Sequence, residues 1–214
     1  SVTAIVGTNG TGKTTMMKTE LGLLPLAGGT VHVLGRPAGE MNRQIGYVPQ
    51  SYTSDIDSNL TAEQSVLLGL TGTRFGVHFV TKAQRAKVKE AMTFTGIADK
   101  AHYRLSELSG GLRQRVAIAR AIITEPDVIL ADEPMSAIDV PARLQILETF
   151  AAIRQARPST ALIMVSHDLG VVQHIADRIL VLHDGHVAEV GSTASILGDP
   201  KSEYTVRLIE AASL

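Results

Sequence analysis

Eight consecutive residues, Gly7-Thr8-Asn9-Gly10-Thr11-Gly12-Lys13-Thr14, have the types and spacing of a phosphate cradle. They fit the pattern G-x-x-x-x-G-K-[ST], directly after an apolar run and at the start of a helical stretch. The glycines let successive backbone N–H groups turn inward as an anion nest, and the helix N-terminus adds positive potential. Lys13 has the reach to meet β- and γ-phosphates, and the Thr14 hydroxyl suits Mg²⁺. Asn9, Gly10, Thr11, Gly12 and Thr15 complete the expected cradle. A second constellation is Val128-Ile129-Leu130-Ala131-Asp132-Glu133, an apolar strand ending in two carboxylates. In a phosphate-binding protein an Asp at such a strand end helps hold Mg²⁺, and the adjacent carboxylate can polarise a water. Asp132 is thus the metal candidate and Glu133 the candidate base. Alone, an acidic pair after a strand is commonly a solvated loop. Beside a phosphate cradle it gains weight, because active sites gather at the carboxyl ends of parallel strands.

A third group, Leu108-Ser109-Gly110-Gly111-Leu112-Arg113-Gln114-Arg115, places a helix-capping serine before two glycines that permit close backbone approach to a ligand. By itself it reads as a cap on a basic amphipathic helix.

These residues need rigid elements to hold them. Short apolar runs at Val2–Val6 and at 128–131, 161–165 and 179–182 lack period-2 alternation, as expected of parallel strands covered on both faces. Helical stretches at 13–24, 111–124 and 141–156 alternate with them. The pattern predicts an α/β fold, a mainly parallel sheet flanked by helices. Residues 28–50 read as strand, turn, strand and predict an antiparallel β appendage. Residues 51 to about 108 look mostly helical, with Lys82–Phe94 the clearest helix. The expected division is a core over 1–50 and 116–214 that carries the phosphate cradle, with an inserted helical lobe over 51–115 that carries the 108–111 group.

Hydrophobic residues are 44% of the 214 and charged residues 19%, enough apolar content for a packed core. A net charge of -1 argues against a dedicated nucleic-acid binder, so no nucleic-acid partner is expected. With no cysteine, disulfides, thiolate metal sites and cysteine nucleophiles are excluded. No run approaches the ~20 apolar residues that span a bilayer, so a link to a membrane must come through a partner. Because Val2–Val6 already reads as a central strand, residues are expected to precede Ser1 in the full protein.

Taken together, the motifs bring a family into view. Over essentially its whole length the chain resembles the nucleotide-binding domain of ATP-binding cassette (ABC) proteins, which are P-loop NTPases. The motifs stand in family order. The phosphate loop is followed by Tyr47-Val48-Pro49-Gln50, similar to the Q-loop, and 108–111 is similar to the signature motif. Then come Asp132-Glu133, similar to Walker B, Ser136-Ala137-Ile138-Asp139, similar to the D-loop, and Val165-Ser166-His167-Asp168, similar to the H-loop. The resemblance implies ATP and Mg²⁺ as ligands and residue roles to match. Lys13 would act in catalysis, and Gln50 would touch Mg²⁺ or the attacking water. Ser109, Gly110 and Gly111 would meet the γ-phosphate of ATP on a second copy of the cassette. Asp139 would link the two sites, and His167 would bond the γ-phosphate. It further implies a head-to-tail dimer, an integral membrane permease, an extracytoplasmic solute-binding protein, and a place on the cytoplasmic face of the membrane. The other six histidines lack ligand spacing and are assigned to surface or core roles.

Two departures matter. Leu112 stands where the signature commonly has Gln, so one polar contact is expected to be lost. No aromatic residue stands upstream of the phosphate loop to stack on adenine, so a weakened hold on the base is expected of these 214 residues. With no transmembrane segment and one terminal helix around 202–212, the chain looks like a stand-alone ATPase subunit without a regulatory domain, a form common among bacterial importers. Residues 46–50, 66–69, 88–91 and 96–99 look similar to the metal-ion branch serving manganese, zinc or iron, and the siderophore and cobalamin branch shares parts of this pattern. A soluble ABC ATPase of DNA repair or translation is the alternative, and a non-hydrolysing scaffold the third reading.

Overall fold

The structure is a computed structural model that describes residues 1–50, 59–72, 79–136 and 138–212. His78, Ala137 and the parts of the expected lobe at 51–58 and 73–78 lie outside the described residues.

The predicted strands form. β1 (Val2–Val6), β5 (Val128–Asp132), β6 (Ala161–Ser166) and β7 (Arg178–His183) run parallel. The six-stranded sheet has the order β4-β5-β6-β1-β7-β8, where β4 is Ile45–Val48 and β8 is His186–Ser192. Successive residues of β1 serve opposite faces: Val2, Ala4 and Val6 enter one core cluster, Ile5 the other. β5 divides likewise, Ile129 and Ala131 against Val128 and Leu130. Burial on both faces is why these runs are uniformly apolar.

Two expectations need correction. The appendage is smaller than 28–50: β2 (His32–Val33) and β3 (Arg36–Pro37) pair antiparallel as a separate two-stranded sheet. β4 does not belong to it, but pairs parallel with β5 at the edge of the main sheet. A turn at Gly39 and a 3₁₀ turn at Asn42–Gln44 carry the chain from one sheet to the other. The antiparallel edge strand β8 was not anticipated. It folds back on β7 through Asp184-Gly185, both at positive φ, a turn pair that favours hairpins.

Helices cover both faces. α1 (Lys13–Glu20) packs Met17 against one face of the sheet, and the following Leu21 joins it there. It ends short of the predicted residue 24 because Leu21 caps it and Gly22 turns at φ 68°. The lobe contains α2 (Ala62–Thr71) and α3 (Lys82–Phe94). Each opens with a capping box, Thr61 with Gln64 and Thr81 with Gln84.

α4 (Gly110–Ile122) runs unbroken past residue 115 and has two apolar faces. Val116 and Ala119 enter the lobe's core with Val66 and Met92, while Ala117, Ile118, Ala121 and Ile122 enter the main core. α5 (Val140–Ala156) and α6 (Leu169–Ile175) bury Phe150, Ile153 and Val172 on the same side of the sheet. α7 (Thr193–Gly198) and α8 (Glu203–Ala212) close the chain.

Tight backbone approaches lock the lobe helix to the sheet. A Cβ on Gly46 would stand 2.5 Å from the Ala121 carbonyl oxygen of α4. Gly46→Ala is therefore expected to lower stability by about 1–3 kcal/mol. An unchanged midpoint in denaturant unfolding would contradict the close β4–α4 contact.

Candidate active site

The parallel strands end in step. Val6 pairs with Ser166, Asp132 with Val165, and Val48 with Ala131. Whatever follows each strand therefore emerges at one edge of the sheet. There the phosphate loop, Pro49-Gln50, Glu133 and His167 meet around a cleft of about 390 Å³. Asn9, Gly10, Gly12, Lys13, Thr14, Thr15, Gln50, Glu133, Ser136 and His167 line it.

The loop has the backbone a nest requires, with Gly10 at φ 85° and Gly12 at φ 95°. Gly12 caps α1 without a side-chain acceptor, so the first-turn N–H groups of the helix point into the cleft unclaimed by a cap. Buried Lys13 folds across the loop, its Nζ donating to the carbonyls of Gly7 at 2.9 Å and Thr8 at 2.8 Å. The Thr8 carbonyl also accepts from the Thr11 hydroxyl at 2.9 Å.

On the facing side, Thr14 Oγ1 donates to Asp132 Oδ1 at 3.0 Å. Asp132 is buried, and desolvation pushes its carboxyl above the usual range. The Thr14 hydrogen bond opposes that rise, the neighbouring Glu133 charge adds to it, and Lys18 and Lys13 pull it back. Tyr47 shares this environment: burial first, then the Asp132 charge and a hydrogen bond to it, raise its phenol. Tyr47 stood in a recognised motif without a role assigned to its side chain, and its contact with Asp132 becomes visible only once β4 and β5 pair.

Glu133 sits at φ 44°, an uncommon conformation for a residue with a side chain. Its N–H donates to the Val165 carbonyl at 3.0 Å, and its carbonyl accepts from Ser136 N at 3.0 Å. This turn directs the carboxylate sideways, where Oε2 accepts from Gln50 Nε2 at 3.1 Å and lies 3.3 Å from His167 Nδ1. Gln50 also reaches Ser136 Oγ at 3.4 Å.

Ser109, Gly110, Gly111 and Asp139 do not line this cleft. Ser109 caps α4, its Oγ accepting from Leu112 N at 3.3 Å, and Ser109 and Gly110 are exposed. Gly111 is buried, and a Cβ there would stand 2.7 Å from Ala142 Cβ, so its lack of a side chain lets α4 sit on α5. Leu112 packs against the lobe core, which accounts for an apolar residue at that position. Asp139 is an exposed N-cap of α5. The other described histidines form no metal cluster; among the described residues no group of three or more His, Cys, Asp or Glu side chains can hold an ion. His183 does have a contact role, stacked on Tyr204 at 3.8 Å.

A family model described as ABC transporter matches residues 1–136. The chain belongs to the ABC transporter family. It is an ATP-binding cassette of the ATP-hydrolysing kind, 38% identical over 88% of its length to the zinc transport system ATP-binding protein TroB of Treponema pallidum, covering 70% of that relative. It is 37% identical to a phosphonates import ATP-binding protein of Nostoc, with 88% of this chain and 79% of that one matched. Among solved structures, a dimeric ATP-binding cassette in a post-hydrolysis state, bound to ADP and Pi, superposes with a TM-score of 0.77. That match is 27% identical and covers 90% of this cassette and 85% of the other. A transporter described as of metal-chelate type, in an inward-facing conformation, gives a TM-score of 0.79 at 27% identity, over 92% and 74% of the two chains.

The raised pKa of Asp132 has a measurable sign. Its charged form costs stability above its raised folded pKa, and the cost is gone below the ordinary aspartate value of 3.8. Asp132→Asn, measured without nucleotide, is expected to raise Tm by a few degrees near neutral pH and to lose that advantage as pH falls below this value. A gain that persists unchanged in acid would assign the effect to something other than the buried charge.

Proposed function

We propose that this cassette hydrolyses ATP with Glu133 as the base and powers solute import through a separate membrane subunit. The observation that carries the reading is the Glu133 carboxylate, shared by Gln50 and His167 across the cleft from Lys13 and Thr14. Phosphoryl transfer asks mainly for positioning and charge stabilisation. The loop N–H groups and Lys13 bind the β- and γ-phosphates, Lys13 leaving its loop carbonyls for phosphate oxygens. Glu133 takes a proton from the attacking water. His167 and Gln50 orient that carboxylate, and His167 donates to the γ-phosphate. Ser166 and Glu133 share a sheet edge with the loop, so these groups act on one phosphate without large backbone movement.

The donor set fits Mg²⁺. Thr14 Oγ1 and Asp132 Oδ1 are hard oxygen ligands already 3.0 Å apart, with Gln50 able to add an amide oxygen. Mg²⁺ is usually held by one or two carboxylates together with substrate phosphates and water, which agrees with a site of so few protein ligands. When bound, it would neutralise charge on the β- and γ-phosphates.

Exposed Ser109 and Gly110, with the N–H of buried Gly111 behind them, form a helix N-terminus away from the cleft, a second anion site suited to ATP held by another copy. The dimeric cassette bound to ADP and Pi supports a pair; the proposed arrangement is head-to-tail, with Asp139 near the junction. Among the described residues no helix is long and apolar enough to cross a membrane. The proposed membrane partner is a permease, with the cassette on its cytoplasmic side. An extracytoplasmic solute-binding protein completes the proposed system, and nucleic acid has no part in it. A metal ion is the solute class, supported by the zinc transport relative and the metal-chelate type structure. Loss of the gene is then expected to lower cellular zinc, manganese or iron uptake; normal metal uptake with impaired phosphonate or peptide uptake would reassign the solute.

Glu133→Gln is expected to lower kcat by at least about 100-fold while leaving ATP binding intact. In the same variant, gel filtration with ATP should detect a lasting dimer. Steady-state hydrolysis at the wild-type rate would remove Glu133 as the base.

A further inference from the structure

The terminal helix reaches the phosphate loop, a contact that the functional motifs leave unused. Tyr204, in the first turn of α8, lies with its hydroxyl 3.3 Å from Thr8 N and 3.3 Å from Thr8 Oγ1. The Thr8 N–H donates to that hydroxyl. Thr8 is the residue whose carbonyl accepts from Lys13 Nζ and from Thr11 Oγ1. One peptide neighbourhood is thus gripped from both sides, by the lysine of the cradle and by a tyrosine nearly two hundred residues later.

The tyrosine is itself fixed. Its ring stacks on His183 at 3.8 Å between centroids and 16° between planes. His183 ends β7, and the preceding Leu182 carbonyl lies so close beneath Gly7 that any Cβ there would collide with it. The start of α8 is pinned to β8, Glu189 accepting from Lys201 N at 2.9 Å and Ser202 N at 3.0 Å. Leu208 and Ile209 seat the rest of the helix on the main core. The first two residues of the cradle therefore rest on a floor made by the end of β7 and the first turn of α8.

We propose that Tyr204 is a positioning residue for ATP binding, holding Thr8 so that the phosphate loop is ordered before nucleotide arrives. Removing the brace leaves Thr8 to be ordered on binding, which weakens affinity. The loop reaches the same bound shape once filled, so the chemical step at saturation is unaffected; a loss of uniform binding raises KM and leaves kcat. The proposal rests on the reading of residues 7–14 as the nucleotide cradle.

The test uses Tyr204→Phe, which keeps the ring and its stacking but removes the hydroxyl, and Tyr204→Leu, which removes both. For Tyr204→Phe, the Kd for Mg-ATP by titration and the KM for ATP are expected to rise about three- to tenfold, the scale of one lost hydrogen bond. kcat and Tm should stay near wild type. Tyr204→Leu should raise KM further and lower Tm; if it fails to fold, Tyr204→Phe decides alone. Wild-type Kd and KM in Tyr204→Phe overturn the proposal, as does a fall in Tm without a change in KM. Lys13→Ala, measured alongside, separates the two readings. Undiminished ATP binding there rejects the cradle itself, whereas weakened binding there with unchanged Tyr204→Phe rejects only the brace.

Discussion

Along the neighbouring parallel strands β4, β5, β6 and β1, each ends within a residue of the next, and every proposed catalytic group depends on that coincidence. Register in a parallel ladder is set by slanted hydrogen bonds and by which residues can be buried on each face. A slip of one residue would turn Ile129 and Ala131 into the opposite core and carry Asp132 and Glu133 to the wrong side of the sheet. The alternating division of β1 and β5 between two cores is therefore what aligns the Glu133 turn with His167 and the loop after Val6. Packing far from the cleft sets its geometry.

The cleft shows how a positive-φ residue serves chemistry. Glu133 is held at φ 44° by bonds from its backbone to Val165 and Ser136, so the turn is over-determined by its surroundings. Its carboxylate lies between an amide and an imidazole, while the neighbouring Asp132 points back to Thr14 and Tyr47. Two adjacent carboxylates thus face different partners, one suited to a cation and one to a water. Desolvation of the Asp132 charge disfavours the fold, a cost that the proposed Mg²⁺ would offset.

α4 joins this edge to the lobe. Its opposite faces belong to different cores, so a shift of the lobe helices α2 and α3 must be felt along α4 and at β4, where Gly46 meets Ala121. Gln50 follows directly from β4, and the Ser109 cap begins α4. Both ends of the proposed catalytic cycle therefore hang on one rigid contact. Gln114 strengthens it, its amide donating to the Pro49 carbonyl at 3.3 Å.

The amino-acid sequence by itself determined the phosphate loop, the acidic strand end, the parallel core strands, the lobe helix 82–94 and the family, because each is written in local spacing or in motif order. Phosphate nests, buried strands and capping boxes need only neighbours in the chain. Only the tertiary structure decided that 45–48 is an edge strand of the main sheet, since a four-residue apolar run cannot announce its partner. It alone separated Ser109 and Gly110 from the cleft, turned Gly111 into a packing glycine, and brought Tyr47 to Asp132. It alone carried Tyr204 to Thr8, across 196 positions. Contacts of that kind depend on how closely backbones approach and on which faces are buried, quantities that no local pattern encodes.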